Sequence, residues 1–377
     1  MVLKIARNAN RSSLGFFRFL HYVFLSNATE ELPLSGVAYW FRACSEVGIS
    51  REIAKCELKS FAQDTLVGYQ KHWRGFSSWG SAEKVNYSSF NVNDVCKYLN
   101  FKFNEGTKSA TLNTIRSALS FFTSNSIISL AKDPNVSRLF RYFYRHRPSF
   151  SRYTVTWDVG KVLRFLAKWH PPENLSMRQL TLKTVALIAL TSSDRAQTLH
   201  VLDIQYLNYV PQGLEFLVPS ILKHYRAGRP ARRVLCVKWD DPSLNVCNYV
   251  ESYLKKTFKF RLKAINSGKE KPTQFFLSHR TGLPVQRASI SRWLRQVLSL
   301  SGIDVTTFKA GSTRSASVSA AARFGTSAEQ ILKQGDWSNL GTFNKFYNKN
   351  LNDSTVGQLI LSSSKSEMVL NAFDVKI

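Results

Sequence analysis

Residues 214–239 read LEFLVPSILKHYRAGRPARRVLCVKW. Both ends, LEFLVPS and RVLCVKW, have strand character, and the basic stretch ILKHYRAGRPAR separates them. The surroundings of this pair read as helix. Upstream, Asp158 is placed to cap VGKVLRFLAKW, and the long apolar run LTLKTVALIALTSS leads into Asp194 and Arg195. Downstream come a helix (NVCNYVESYLKKTF), a short strand (QFFLS) and four more helices. A few strands set among many helices predict a mainly α chain with a small β-sheet, an α+β domain.

Residues 45–147 read as short helices only. Asp64 is placed to cap a helix whose Leu66, Tyr69, Trp73 and Phe76 share one face, and Ser109 another that buries Leu112, Ile115, Leu119 and Phe122. Asp133-Pro134 opens a third, NVSRLFRYFYRHRP, with Val136, Leu139, Phe140 and Phe143 pointing inward. Its other face carries Arg138, Arg141, Arg145 and Arg147. Such a face is usually solvated, but arginines interleaved with tyrosines and short of acids suit phosphates along a duplex. Pro148 and the polar run SFSRYT predict a linker at 148–155. The organisation expected is a leader of open status at 1–44, a helical domain at 45–147 suited to DNA, a linker at 148–155, an α+β domain at 156–350 and a tail at 351–377.

Bulk numbers narrow the function. The 377 residues are 44% hydrophobic and 13% aromatic, as in a folded protein. Lys plus Arg is 52 against 25 Asp plus Glu, a formal charge of +27, which calls for a polyanionic partner, most often nucleic acid. Five cysteines without CxxC spacing read as buried thiols rather than a zinc site or a disulfide framework, and no carboxylate cluster suits a metal-dependent nuclease. The apolar stretch GFFRFLHYVFLS at 15–26 is too short to span a bilayer. With Lys4, Arg7 and Arg11 ahead of it, it loosely resembles a targeting peptide, and a buried helix explains it equally well.

Five separated features carry chemistry: Arg195 in SSDRAQTLHVLDI, Lys223 between the two strands, Arg314 in FKAGSTRSASVSAAARFG, and Trp337 and Tyr347 in GDWSNLGTFNKFYNKN. Taken alone, Trp337, Phe343, Phe346 and Tyr347 are an apolar helix face. In order and spacing together, the five resemble the tyrosine recombinases (phage integrase family), most closely those of DIRS-like retrotransposons. The likeness is sharpest at RAQTLHVLD, LKHYRAGR, FKAGSTRSAS and the W-to-FY spacing. It implies a helical SAM-like core-binding domain and a catalytic domain clamping double-stranded DNA, synaptic homo-oligomers, a nuclear location, and no metal or small-molecule cofactor. It also implies roles. Tyr347 is the nucleophile that forms a 3′-phosphotyrosyl link, Arg195 and Arg314 hold the non-bridging oxygens, Lys223 protonates the leaving 5′-oxygen, and Trp337 donates its indole N–H to the phosphate. Type IB topoisomerases share the chemistry but match the motifs less closely.

One position departs from the family pattern. Where relatives carry a histidine three residues before the second arginine, this chain has Gly311. Lys309, which also counts among the expected DNA contacts, and His224 are the nearest candidates in sequence, and neither fills the matched position. A positioned proton acceptor is worth roughly 10²-fold or more. A DNA-binding module derived from such an enzyme is therefore the alternative expectation.

Overall fold

The structure, a computed structural model, describes residues 35–85, 90–123, 130, 132–148, 153–219, 230–267, 272–335, 341, 349 and 351. The chain divides into two compact units, Met1–Phe150 and Ser151–Ile377.

The first unit is helical: α1 (Gly36–Glu46), α2 (Arg51–Ser60), α3 (Gln63–Ala82), α4 (Val92–Asn104), α5 (Ser109–Phe122) and α6 (Pro134–His146). Small polar residues start several of them. Ser35 and Ser50 accept from the amides of Ala38 and Ile53, Asn91 and Asp94 form a reciprocal capping box, and Asp133 accepts from Asn135 and Val136 with Pro134 at the first helical position. Two expected caps differ. Asp64 lies inside the first turn of α3, whose N-cap is Ala62, so its charge faces the positive helix end instead. Lys108 is the N-cap of α5, and the Ser109 hydroxyl donates to the carbonyl of Arg147 at 3.1 Å.

Aromatic rings fill this core. Trp73 meets Phe122 edge-on at 5.3 Å, and Phe103 stacks on Phe143 at 4.4 Å. The core also moves the expected 44/45 boundary. α1 buries Val37, Trp40 and Cys44 against the other helices, so residues from 35 onward belong to the unit and not to a leader. Gly36 permits that docking, because a Cβ there would lie 2.7 Å from Trp73 and 2.8 Å from Phe122.

The second unit contains α7 (Val159–Ala167), α8 (Met177–Ser192), α9 (Ala196–His200), β1 (Leu207–Val210), β2 (Gly213–Val218), β3 (Arg232–Val237), α10 (Val246–Asn266), α11 (Arg287–Leu300), α12 (Ser312–Arg323) and α13 (Ala328–Gly335). α8 is buried on every side from Leu180 to Leu190 and packs on α10, α11 and α12. Its fully buried Lys183 is satisfied by the carbonyls of Leu166 and Trp169 and by the Tyr249 hydroxyl, at 2.7, 2.7 and 2.8 Å.

The sheet is antiparallel in the order β1-β2-β3, with Phe216 opposite Val234 and Leu214 opposite Cys236. Leu214, Phe216 and Val218 alternate into the core, as a one-sided strand should. β1 has no counterpart in the sequence reading. Among the described residues the expected strand QFFLS makes only isolated bridges, Asp203 to Gln274 and Leu277 to Pro284, and its Phe275, Phe276 and Leu277 are all buried. Among the described residues, no helix is long and apolar enough to cross a membrane, and no group of His, Cys, Asp or Glu could hold a metal ion.

Candidate active site

The turn after α8 organises the site. Ser193 ends the helix in the left-handed region (φ 55°, ψ 28°), which redirects the chain so that Arg195 becomes the N-cap of α9. Arg195 is half-buried, and among the described residues it has no acceptor or carboxylate partner.

Three side chains from distant elements converge on the same turn. Arg314, from the first turn of α12, is 4% exposed and donates through Nη1 to the Ser193 carbonyl at 2.9 Å and through Nη2 to the Gly335 carbonyl. Gln334, on α13, donates to the Ser192 carbonyl at 3.1 Å. Arg232, at the head of β3, grips the buried Asp194 with Nε at 3.2 Å and Nη2 at 3.0 Å. The two arginines expected to share a phosphate are thus brought together, since the Arg314 guanidinium ends on the carbonyl two residues before Arg195. Asp194 does not cancel their charge, because its carboxylate is committed to Arg232.

α12 is itself unusual, being buried from Ser312 to Ala320 although rich in serine. Trp157 donates its indole N–H to Ser312 at 3.0 Å, Ser317 bonds back to Thr313, and Ser319 accepts from the amide of Lys349. Lys349 is buried as well: its carbonyl accepts from Arg323 at 3.2 Å and its ammonium reaches the Tyr153 carbonyl. Burial pushes that ammonium below its ordinary value. The chain two residues beyond Tyr347 is therefore tied to α12.

Gly311 is exposed, with right-handed backbone (φ −66°, ψ −18°), and a Cβ added there would meet nothing within 4 Å among the described residues. Lys309 is exposed, and its ammonium donates to the carbonyls of Val305 and Thr306 at 3.2 and 2.8 Å. Lys223, His224, Trp337 and Tyr347 lie outside the described residues, as do the stretch at 15–26 and the tail from 352.

On α6, Arg138, Arg141 and Arg145 occupy the exposed face opposite Val136, Phe140 and Phe143, flanked by exposed Tyr142 and Tyr144. None of the three forms an ion pair among the described residues. Arg147, the fourth of the expected DNA contacts, is also engaged within its own unit. Its guanidinium donates to the carbonyls of Thr107 and Phe103 at 3.2 and 3.1 Å and lies 4.1 Å from the Phe103 ring centre, which makes it a strut within the unit.

No family model matches the chain, and no curated protein does. Solved structures do. The XerH site-specific recombinase bound to palindromic difH substrate, in a post-cleavage complex, superposes with a TM-score of 0.56 at 12% identity, covering 93% of this chain and 94% of that one. The chain has the tyrosine recombinase fold. The Tn1549 transposon integrase in complex with transposon right end DNA shares that fold with a TM-score of 0.51 at 11% identity, covering 88% of this chain and 99% of that one. A lambda integrase dimer bound to a COC′ core site gives 0.50 at 13%, over 84% and 96%. Identities this low speak for the fold alone. Within it, the residues missed by sequence reasoning are Asp194, Arg232 and Gln334, whose partners lie 38 and 142 residues away and leave no local pattern.

Proposed function

We propose that this chain breaks and rejoins duplex DNA strands through a covalent 3′-phosphotyrosyl intermediate at Tyr347, as a nuclear recombinase of a DIRS-like retroelement acting as a homo-oligomer on DNA. The observation that carries the reading is the turn at 192–195, in a recombinase fold. It offers a half-buried guanidinium on Arg195 that has no partner among the described residues, adjoins the buried guanidinium of Arg314, and has its one acid already paired. A transition state that gathers charge on non-bridging phosphate oxygens is stabilised by such fixed donors, and guanidinium suits them because it is planar and always charged.

In the proposed step the Tyr347 oxygen attacks phosphorus and its phenolic proton passes to solvent water, the P–O bond to the 5′-oxygen breaks, and Lys223 gives that oxygen its own proton. Trp337 adds an indole N–H to the phosphate. The phosphodiester bond is conserved in the protein–DNA link, so rejoining needs no external energy. The exposed α6 face of Arg138, Arg141 and Arg145 supplies sequence-independent phosphate contacts.

A second reading, a DNA-binding module without turnover, is favoured by Gly311, which offers no proton acceptor, and by the two carbonyls that already occupy Arg314. A nicked suicide duplex separates the two. The enzyme reading expects a covalent protein–DNA band with wild type and none with Tyr347→Phe, which keeps DNA binding. Absence of the band from wild type on several nicked substrates favours the module, and an adduct from Tyr347→Phe would remove the tyrosine from its role.

A further inference from the structure

Asp194 has no part in the chemistry proposed above, yet it is 6% exposed and sits immediately before Arg195. An acid there opposes a phosphate by charge repulsion, and burying a carboxylate is costly unless it is paired. Arg232 removes both objections by gripping it through two parallel hydrogen bonds at 3.2 and 3.0 Å, a fork that fixes orientation as well as charge. The grip joins residues 38 apart in the chain. It ties the peptide leading into Arg195 to the first residue of β3, which is itself held in register, Arg232 opposite Val218. Gln334 and Arg314 hold the two preceding carbonyls, so each residue from Ser192 to Asp194 is fixed by a different element.

We infer that Asp194, clamped by Arg232, is a positioning residue for Arg195. It fixes the backbone from which that guanidinium reaches a DNA phosphate, while the sheet, not the substrate, neutralises its charge. This inference rests on the proposed phosphate-binding role of Arg195.

The test is a double-mutant cycle in the full chain, using Asp194→Asn, Arg195→Ala and the pair, followed by melting, by affinity for duplex DNA and by single-turnover adduct formation. A 5′-bridging phosphorothiolate substrate keeps slow variants measurable, because its thiolate leaves without needing a proton. Asp194→Asn should slow adduct formation by about tenfold to hundredfold, as a misplaced catalytic group does, with affinity changed less than about threefold. On the Arg195→Ala background the same change should cost less than about twofold, since no guanidinium remains to be placed. Asp194→Asn combined with Arg232→Gln, which keeps uncharged hydrogen bonding and leaves no unpaired charge, checks that any loss is not a failure to fold. An equal loss with and without Arg195 overturns the inference, as does an Asp194→Asn rate equal to wild type. If wild type forms no adduct at all, the strand-cleavage reading has failed separately. The cycle is then read in backbone order at the turn, where hydrogen exchange at the amides of Asp194 and Arg195 that rises at least about tenfold in Asp194→Asn supports the clamp and unchanged exchange overturns it.

Discussion

Restoring a proton acceptor at position 311 separates a weakened enzyme from a chain that has lost turnover. Gly311→His is sterically free. The backbone at this N-cap is in the ordinary right-handed region, and among the described residues a Cβ meets nothing within 4 Å. The position is exposed, so an imidazole needs no burial. Replacing glycine at a compatible position restrains the unfolded chain by about 0.4–1 kcal/mol, so melting should stay level or rise slightly. Position 311 is three residues before Arg314, whose guanidinium lies on the Ser193 turn, so the new side chain starts one helical turn from the site. A positioned general base contributes roughly 10²–10⁴-fold, and an imidazole built from an exposed helix start should give the low end, about 10²-fold in single-turnover adduct formation. The gain has a pH signature. Only neutral imidazole accepts a proton, so the ratio of Gly311→His to wild type should be full above about pH 7 and fall as pH drops through its ordinary value near 6.5. Gly311→Ala, which adds the Cβ without the ring, should match wild type. If wild type forms adduct but the histidine variant gains nothing at any pH, with duplex affinity unchanged, position 311 does not face the scissile phosphate and the assignment of Arg314 falls with it.

The α6 arginines should divide into two classes: Arg138→Ala, Arg141→Ala and Arg145→Ala should each weaken binding to all sequences alike and lower the log–log salt slope by about one, whereas Arg147→Ala should leave that slope alone and cost about 1–3 kcal/mol in denaturant unfolding. Gly36→Ala should cost about 1–3 kcal/mol, because the added methyl must displace the Trp73 and Phe122 rings; unaltered urea midpoints would refute the tight α1 docking. Burial pushes the Lys183 ammonium down to about 7, against about 10.4 in an unfolded chain, so the unfolded state binds the extra proton between those values. Its contribution to stability should therefore rise with pH from about 7 to 10, and Lys183→Met should remove that rise in pH-dependent unfolding.

What could be read from the sequence was what repeats locally. The strands on either side of 219–231 show up because Leu214, Phe216 and Val218 alternate with polar or half-buried neighbours, and α6 because Asp133-Pro134 marks its start and its arginines fall opposite its phenylalanines. β1 was invisible because its four residues are only half-buried or exposed and so carry no alternation. QFFLS failed for the opposite reason: three consecutive buried apolar residues look the same whether they pair as a strand or plug a core. Arg195 and Arg314 were singled out as chemistry-bearing types at family spacing, but the manner in which they meet was not legible. That depends on a serine adopting φ 55° where glycine would have been the signal, and on a carbonyl, a group every residue has, receiving Arg314 across 121 positions.

The same contrast bears on which parts of the site can change without loss. The groups proposed to face the phosphate are single side chains whose replacement would be read directly in turnover. The turn that presents Arg195 is instead held by three independent long-range contacts, from α12, α13 and β3. Breaking any one leaves two, so individual variants of Gln334 or Arg232 should shift the placement of Arg195 without unfolding the unit. Arg314 is the exception, since one guanidinium both pins the Ser193 carbonyl and is proposed to meet the phosphate. Its replacement removes an anchor and a ligand together, and for that reason Arg314→Ala should be more damaging than Arg195→Ala even though both arginines are assigned to the same oxygens.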